Sequence, residues 1–96
     1  MVILVSYDVA TTSKAGRKRL RKVAQACEDY GQRVQYSVFE CKLDATDWVK
    51  LRARLLGLID GKEDSMRFYF LDDGAASKTE HHGVREPVDF EGTLVV

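Results

Sequence analysis

The spacing of hydrophobic residues predicts a β-strand at the start of the chain. Residues 2–9 are mostly apolar, and alternation divides them between two faces of the strand. Both faces carry apolar side chains, so we expect a central strand that is covered on both sides. One predicted face holds Ile3, Val5, Tyr7 and Val9, and the other holds Val2, Leu4, Ser6 and Asp8.

Apolar residues at helical spacing predict two helices. The first follows the N-cap candidates Thr11, Thr12 and Ser13, and we expect it to run to about Tyr30 and to stop at Gly31. The second follows Asp44 and Thr46 and covers residues 45–59. The two apolar stripes are Leu20, Val23, Ala24, Cys27 and Tyr30 in the first helix, and Trp48, Leu51, Leu55, Leu58 and Ile59 in the second.

Further extended segments are predicted between and after the helices. Residues 32–43 alternate and are rich in Val, Tyr and Phe, which favours either one long bent strand or two short strands that turn near Tyr36. Residues 65–71 predict another strand, with Met66, Phe68 and Phe70 on one face. We expect polar loops over residues 60–64 and 72–83, and a short terminal strand over 89–96.

The order of these elements predicts the fold class. A β-α-β-β-α-β order within residues 1–75 indicates a ferredoxin-like α+β domain, an antiparallel sheet with two helices on one face. Residues 76–96 then form a C-terminal loop and short strand, which could pack on a partner subunit. The sheet face without helices carries Val2 and Leu4. Because an apolar face needs cover, we expect a homodimer formed through that face.

Length, charge and composition limit the functional classes. With 96 residues the chain is at most one small domain, which buries about 60–65% of its unfolded surface. A net charge of zero argues against a general nucleic-acid coat protein. No apolar run approaches the roughly 18 residues that cross a membrane, and the N-terminus does not resemble a cleavable signal. We therefore expect a cytoplasmic protein with no membrane contact.

Positive charge is nevertheless concentrated at the start of the first helix. Six of the nine residues 14–22 are Lys or Arg. Cations oppose the helix dipole at this end, at a cost of about 0.3–1 kcal/mol each, whereas phosphate binding uses both the cations and the free helix N–H groups. The alternative is a solvated charged face with local ion pairs. The six residues are Lys14, Arg17, Lys18, Arg19, Arg21 and Lys22.

Asp8 is the candidate metal ligand. Alternation places it on the predicted dimer face, where a twofold axis would bring two Asp8 carboxylates towards each other. Facing carboxylates repel unless a cation or protons neutralise them. Mg²⁺ suits this position, because it takes few carboxylates and binds phosphate oxygens directly. The alternative is that Asp8 caps the turn or the helix start.

Other candidate residues follow Gly31 or are thiols. Arg33 could hold a phosphate and Ser37 could line the site, although Arg33 and Phe39 could equally be ordinary strand residues. Cys27 and Cys41 form no CxxC pair, which indicates two buried reduced thiols. The adjacent His81 and His82 lack the spacing of a metal pair. The sequence contains no glycine-rich phosphate loop and no Ser/His/Asp set.

These segments together resemble a known family. The strand VILVSYDV, the helix start GRKRLRKVA, the segment YGQRVQYSVFEC and the strand SMRFYFL occur in family order over most of residues 1–71. The family is the smaller of the two core proteins of the CRISPR adaptation machinery. The most specific match is YGQRVQYSVFEC, which contains Arg33, Ser37, Phe39 and Glu40.

The resemblance implies a fold, an activity and partners. It implies a ferredoxin-like homodimer whose two Asp8 residues line a shared cleft, and Mg²⁺-dependent hydrolysis of RNA or DNA. It also implies that the dimer bridges two copies of the larger CRISPR integrase and supports the duplex to be inserted. Asp8 would be the catalytic metal ligand with Tyr7 beside it. Lys14, Arg17, Lys18, Arg19 and Arg33 would contact nucleic acid, and Ser37 and Phe39 would support the site.

Three functional hypotheses follow. The first is a slow metal-dependent nuclease, because one carboxylate per subunit is a sparse site with no evident general base. The second is a structural nucleic-acid-binding adaptor in which Asp8 has no catalytic part. The third is a ferredoxin-like sensor of small molecules, which the cations at the helix start disfavour.

Overall fold

The structure, a computed structural model, describes residues 1–71 and 78–84 and folds them into one antiparallel sheet with two helices. Hydrogen-bonded strands follow the order β2-β3-β1-β4-β5, so β1 is central. This topology confirms the predicted ferredoxin-like α+β fold. The elements are β1 (Val2–Asp8), α1 (Lys14–Glu28), β2 (Gly31–Gln35), β3 (Val38–Lys42), α2 (Ala45–Leu58), β4 (Ser65–Phe70) and β5 (Lys78–Gly83).

Both helices begin where the sequence predicts, at capping side chains. The Ser13 hydroxyl accepts a hydrogen bond from the Gly16 amide at 3.0 Å, and the Asp44 carboxylate accepts one from the Asp47 amide at 2.8 Å. These caps satisfy amides that have no partner within the helix. Among the described residues, no helix is long and apolar enough to cross a membrane.

Gly31 does not have the expected role at the end of α1. The helix ends at Glu28, and Gly31 is the first residue of β2. A Cβ at Gly31 would lie 2.4 Å from the Glu40 carbonyl oxygen and 2.6 Å from the Cys41 sulfur. Glycine is needed here because β2 and β3 approach closely, and not because a helix must stop.

The extended segments differ from the prediction in one place. Residues 31–42 form a hairpin with a turn at residues 36–37, which decides between the two alternatives. Residues 78–83, predicted as loop, instead form β5 and pair with β4 along its whole length. Their polar composition is tolerated because β5 is an edge strand of the sheet described. The predicted strand over 89–96 lies outside the described residues.

The core lies between the sheet and the helices. Alternate residues of β1, β3 and β4 contact the buried faces of α1 and α2, as predicted for Ile3, Val5, Trp48, Leu51 and Phe68. Among residues 1–71 and 78–84, no helix covers the other face of β1, and Val2, Leu4 and Ser6 are only half-buried there. We call this the open face of the sheet. Its presence confirms the asymmetry that the sequence predicts.

The two cysteines are free and buried in this core. Burial raises the pKa of Cys27 to about 12 and that of Cys41 to about 11. Both thiols are therefore protonated and unreactive at neutral pH.

One buried ion pair ties the C-terminal end of β1 to the rest of the molecule. The Asp64 side chain is fully buried, and its carboxylate accepts hydrogen bonds from Arg19 Nε at 2.9 Å, from the Ala10 amide at 3.0 Å and from the Asp60 amide at 2.8 Å. The Asp64 carbonyl oxygen accepts a further bond from the Val84 amide at 3.1 Å. Asp64 thus connects the loop after β1, helix α1, the α2–β4 loop and the end of β5.

Burial alone would raise the pKa of Asp64, but the hydrogen bond from Arg19 and the two amides outweigh it, and the pKa is lowered from its ordinary value. The folded state thus prefers Asp64 charged.

Removal of this carboxylate should destabilise the fold strongly. Asp64→Ala leaves Arg19 and two amides without their acceptor, and we expect the free energy of unfolding to fall by about 3–5 kcal/mol in urea titrations at pH 7. Asp29→Ala is the matched control, because it breaks an Asp–Arg pair with Arg54 whose side chains are 59% and 45% exposed. We expect that control to lose less than about 1 kcal/mol. Equal losses would contradict the role given to Asp64.

The same comparison has a predicted pH dependence. Because the folded pKa of Asp64 lies below the ordinary value of 3.8, its stabilisation is present above that value and is lost as pH falls through the folded pKa. The stability difference between the natural chain and Asp64→Ala should therefore shrink in acid.

Candidate functional site

Asp8 is the last residue of β1 and is exposed on the open face of the sheet. It pairs in register with Ser65 of β4, and alternation turns its side chain away from the helices, opposite to Tyr7. Val9, the next residue, is buried in the core at 7% exposure. The Asp8 carboxylate therefore lies at the end of β1 and outside the hydrophobic core.

Two close contacts fix the backbone that follows Asp8. Asp64 accepts the Ala10 amide, as described above. In addition, Gly16 of α1 lies directly against the loop, since a Cβ there would be 1.9 Å from the Ala10 carbonyl oxygen. The Asp64 carboxylate and the backbone of α1 at Gly16 together fix the end of β1. They thereby also fix the position of Asp8.

The residues around Asp8 fit only part of a metal site. Among residues 1–71 and 78–84, no group of three or more His, Cys, Asp or Glu side chains could hold a metal ion. A single carboxylate is nevertheless compatible with Mg²⁺, which is usually bound through one or two carboxylates and keeps several waters. The described residues of one chain thus supply fewer than three side-chain ligands of these types at any one place.

A second set of predicted residues meets elsewhere, around a cavity of about 420 Å³ between α1 and the β2–β3 hairpin. It is lined on one side by α1 and on the other by the hairpin, and the ring of Tyr7 contributes to its wall. We call it the hairpin cavity. It is lined by Tyr7, Arg17, Leu20, Arg21, Ala24, Arg33, Tyr36 and Ser37.

Tyr7 is a packed wall residue of the hairpin cavity. Its side chain is 4% exposed and stacks on the buried Phe39 with ring centroids 6.2 Å apart. Its amide donates to the Ser37 carbonyl oxygen at 3.0 Å. Burial raises the pKa of the Tyr7 hydroxyl, although the nearby Arg33 opposes the change. Tyr7 is therefore neutral at physiological pH, and its ring offers an apolar surface.

Arg33 is held in place by aromatic and backbone contacts. Its guanidinium lies 4.8 Å from the centre of the Phe39 ring, and it donates to the Tyr36 carbonyl oxygen. A cation over an aromatic face is stabilised electrostatically. The side chain nevertheless stays exposed, so its positive charge faces solvent beside the cavity.

The basic run of α1 divides into two kinds of residue. Arg19 has an 18% exposed side chain and binds Asp64 together with Glu63, at 3.3 Å from the latter. Its predicted role in phosphate binding stays a prediction, and its contacts with Asp64 and Glu63 give it a structural role that was not predicted from the sequence. The first turn of α1 contains no acidic residue. The remaining cations are exposed, namely Lys14, Arg17, Lys18, Arg21 and Lys22.

The predicted site residues therefore form two groups and not one. Arg17, Arg33, Tyr7 and Ser37 meet at the hairpin cavity with Phe39 directly behind it, whereas Asp8 lies on the opposite side of the sheet. Arg21 belongs to the basic run considered for phosphate binding, whereas no site role was predicted for Tyr36, and Asp64 was predicted only as part of a polar loop. A short polar loop gives no periodic signal that would mark one of its carboxylates as buried.

Comparison with known proteins gives one consistent family. A model of the family described as CRISPR associated protein Cas2 matches residues 1–79. The chain is 55% identical over 96 residues to a CRISPR-associated endoribonuclease Cas2 of Chlorobaculum tepidum, which covers all of both chains. It is 50% identical over 95 residues to a CRISPR-associated endonuclease Cas2 of Halalkalibacterium halodurans, covering 99% of each chain.

Two solved structures support the fold. The crystal structure of Streptococcus pyogenes Cas2 at pH 6.5 matches with a TM-score of 0.69 and 58% identity, over 74% of this chain and 86% of that one. A hypothetical protein of Thermus thermophilus matches with a TM-score of 0.58 and 29% identity, over 99% of this chain and 90% of that one.

Two helical glycines should respond oppositely to alanine. Gly16→Ala places a methyl group against the Ala10 backbone, and we expect the free energy of unfolding to fall by about 1–3 kcal/mol. Gly57→Ala in α2 has no atom within 4 Å of the new methyl group. We expect it to stabilise the fold by up to about 1 kcal/mol through helix propensity. Urea titration measures both, and changes of the same sign would contradict the packing described for Gly16.

Proposed function

The chain belongs to the CRISPR-associated Cas2 family, and from this premise we propose that it serves in CRISPR adaptation as a cytoplasmic, nucleic-acid-binding protein with metal-dependent endonuclease activity. The observation that carries the nuclease part is the exposed Asp8 carboxylate at the end of β1. The names of the relatives, endoribonuclease and endonuclease, support the same reaction class.

The proposed active unit is a homodimer paired through the open face. Leu4 lies in register between Glu40 of β3 and Tyr69 of β4, and it is half-buried on the face that neither described helix covers. Exposed apolar sheet surface favours association, and a twofold axis brings the same residue of both chains together. Such pairing would set the two Asp8 carboxylates across one cleft.

In this dimer the two Asp8 carboxylates would hold Mg²⁺, the ion that suits few carboxylates together with phosphate oxygens. Bound there, the ion would supply positive charge beside the scissile phosphodiester. The chain's own contribution is to hold the carboxylates in position through the backbone contacts at Ala10 and Gly16. Because the described residues offer no larger cluster of acids or histidines, we expect slow turnover.

The second candidate is a purely structural adaptor, favoured by the exposed cations at the start of α1. With no acidic residue in the first turn, Lys14, Arg17 and Lys18 leave a positive surface at the positive end of the helix dipole. A dimer with two such surfaces could support duplex DNA and bridge copies of the larger CRISPR integrase. Its affinity would fall steeply with salt and would not depend on Asp8.

Substitution of Asp8 separates these two candidates. We expect Asp8→Asn to reduce Mg²⁺-dependent cleavage of single-stranded RNA or duplex DNA by at least about tenfold, since each 1.4 kcal/mol of lost transition-state stabilisation is tenfold in rate. Binding of the same substrates in EDTA should stay within about twofold, because the cations are unchanged. Glu28→Gln, the same carboxylate-to-carboxamide change at an exposed residue of α1, is the matched control.

The outcomes of this comparison are distinct. Cleavage that is equal in the natural chain and Asp8→Asn would refute a catalytic role for Asp8. Binding without cleavage in either protein would favour the adaptor over the nuclease.

A further inference from the structure

The hairpin cavity has an apolar interior and a cationic rim. Leu20, Ala24 and the ring of Tyr7 provide apolar surface, while Arg17 and Arg21 extend from α1 above it. A volume of about 420 Å³ is in the range of pockets that take small organic ligands. A bare phosphate would leave most of this apolar surface in contact with water, so a ligand with a flat apolar part suits the cavity better.

The cations around the cavity are not ion-paired with any acidic side chain among the described residues. In the described part of the chain, Arg17, Arg21 and Arg33 form no ion pair with a carboxylate, and Arg17 and Arg33 donate only to backbone carbonyl oxygens. By contrast, Arg52 and Arg54 each bind a carboxylate, as Arg19 does. Three neighbouring guanidiniums without acidic partners favour an anionic ligand.

Tyr36 completes the cavity with an aromatic surface. It lies at the turn of the hairpin with its side chain 93% exposed, and its backbone is held by Arg33. An exposed ring beside cations is the arrangement on which proteins stack unpaired bases. A base in a duplex already stacks on both sides and pairs along its edge, so it has no free surface for this cavity.

From this arrangement we propose that the hairpin cavity binds one unpaired nucleotide of a nucleic-acid strand. The base stacks on Tyr36 above the apolar interior, and its phosphate lies against Arg17 and Arg21. This inference rests on the proposed nucleic-acid function and adds a preference for single-stranded segments. Since Tyr7 and Asp8 lie on opposite faces of β1, the cavity is separate from the candidate metal site.

The test compares a single-stranded DNA of about ten nucleotides with the corresponding duplex, in EDTA to prevent cleavage. We expect Tyr36→Ala to weaken single-strand binding about tenfold, in line with roughly 1–3 kcal/mol of stacking per base, and to leave duplex binding within about twofold. A strand with abasic sites should bind equally to both proteins. Val34→Ala, at a 51% exposed residue of the same hairpin outside the cavity lining, is the matched control.

Each outcome gives a definite answer. If Tyr36→Ala weakens neither substrate, or weakens single strand and duplex equally, the cavity proposal is overturned while the proposed function stands. If the natural chain binds neither DNA nor a single-stranded RNA of the same length, both are overturned. Because Tyr36 is almost fully exposed, its replacement should leave the fold intact, which a urea titration of the variant checks.

Discussion

The buried carboxylate of Asp64 is the contact on which the functional end of this molecule depends. A charge in the core is tolerated only with partners, and removal of a partner typically costs several kcal/mol. Asp64 obtains its partners from Arg19 of α1 and from the amides of Ala10 and Asp60. These hydrogen bonds connect α1, the loop after β1 and the α2–β4 loop to the same carboxylate. The end of β1 cannot shift without breaking one of them, so Asp8 is presented in a fixed position.

The central strand β1 places its two candidate functional side chains on opposite faces of the sheet. Successive side chains of a strand point in opposite directions, so Tyr7 enters the helix-covered layer while Asp8 faces out. Tyr7 then supports a cavity that has cations and an aromatic ring at its rim, whereas Asp8 lies on a half-buried surface that a second copy could cover. A nucleic-acid strand that reached both the candidate metal site at Asp8 and the hairpin cavity would contact both sides of one thin domain.

Much of the fold follows from periodicity in the sequence, but the site does not. The strands β1 and β4 and both helices have strong apolar patterns and recognisable caps at Ser13 and Asp44. Strand β5 lacks such a pattern because it is polar and forms an edge of the sheet that the described residues build. Arg17 and Arg19 look equivalent in a basic run, yet residues two apart lie on different sides of a helix, and only Arg19 reaches Asp64. Sequence alone also grouped Tyr7, Arg33 and Ser37 with Asp8, because their separation by the sheet is a tertiary property.

The most direct test of the proposed pairing places a thiol at position 8. Asp8→Cys should react with a short bismaleimide to give a covalent dimer of twice the 10.9 kDa chain mass, because the two side chains would face each other across the twofold axis. Cys27 and Cys41 are buried, so the natural chain should stay uncoupled. Thr46→Cys, at an exposed residue of α2, should also stay monomeric. If Asp8→Cys gave no covalent dimer, or coupled no faster than Thr46→Cys, the shared cleft between two Asp8 residues would be contradicted.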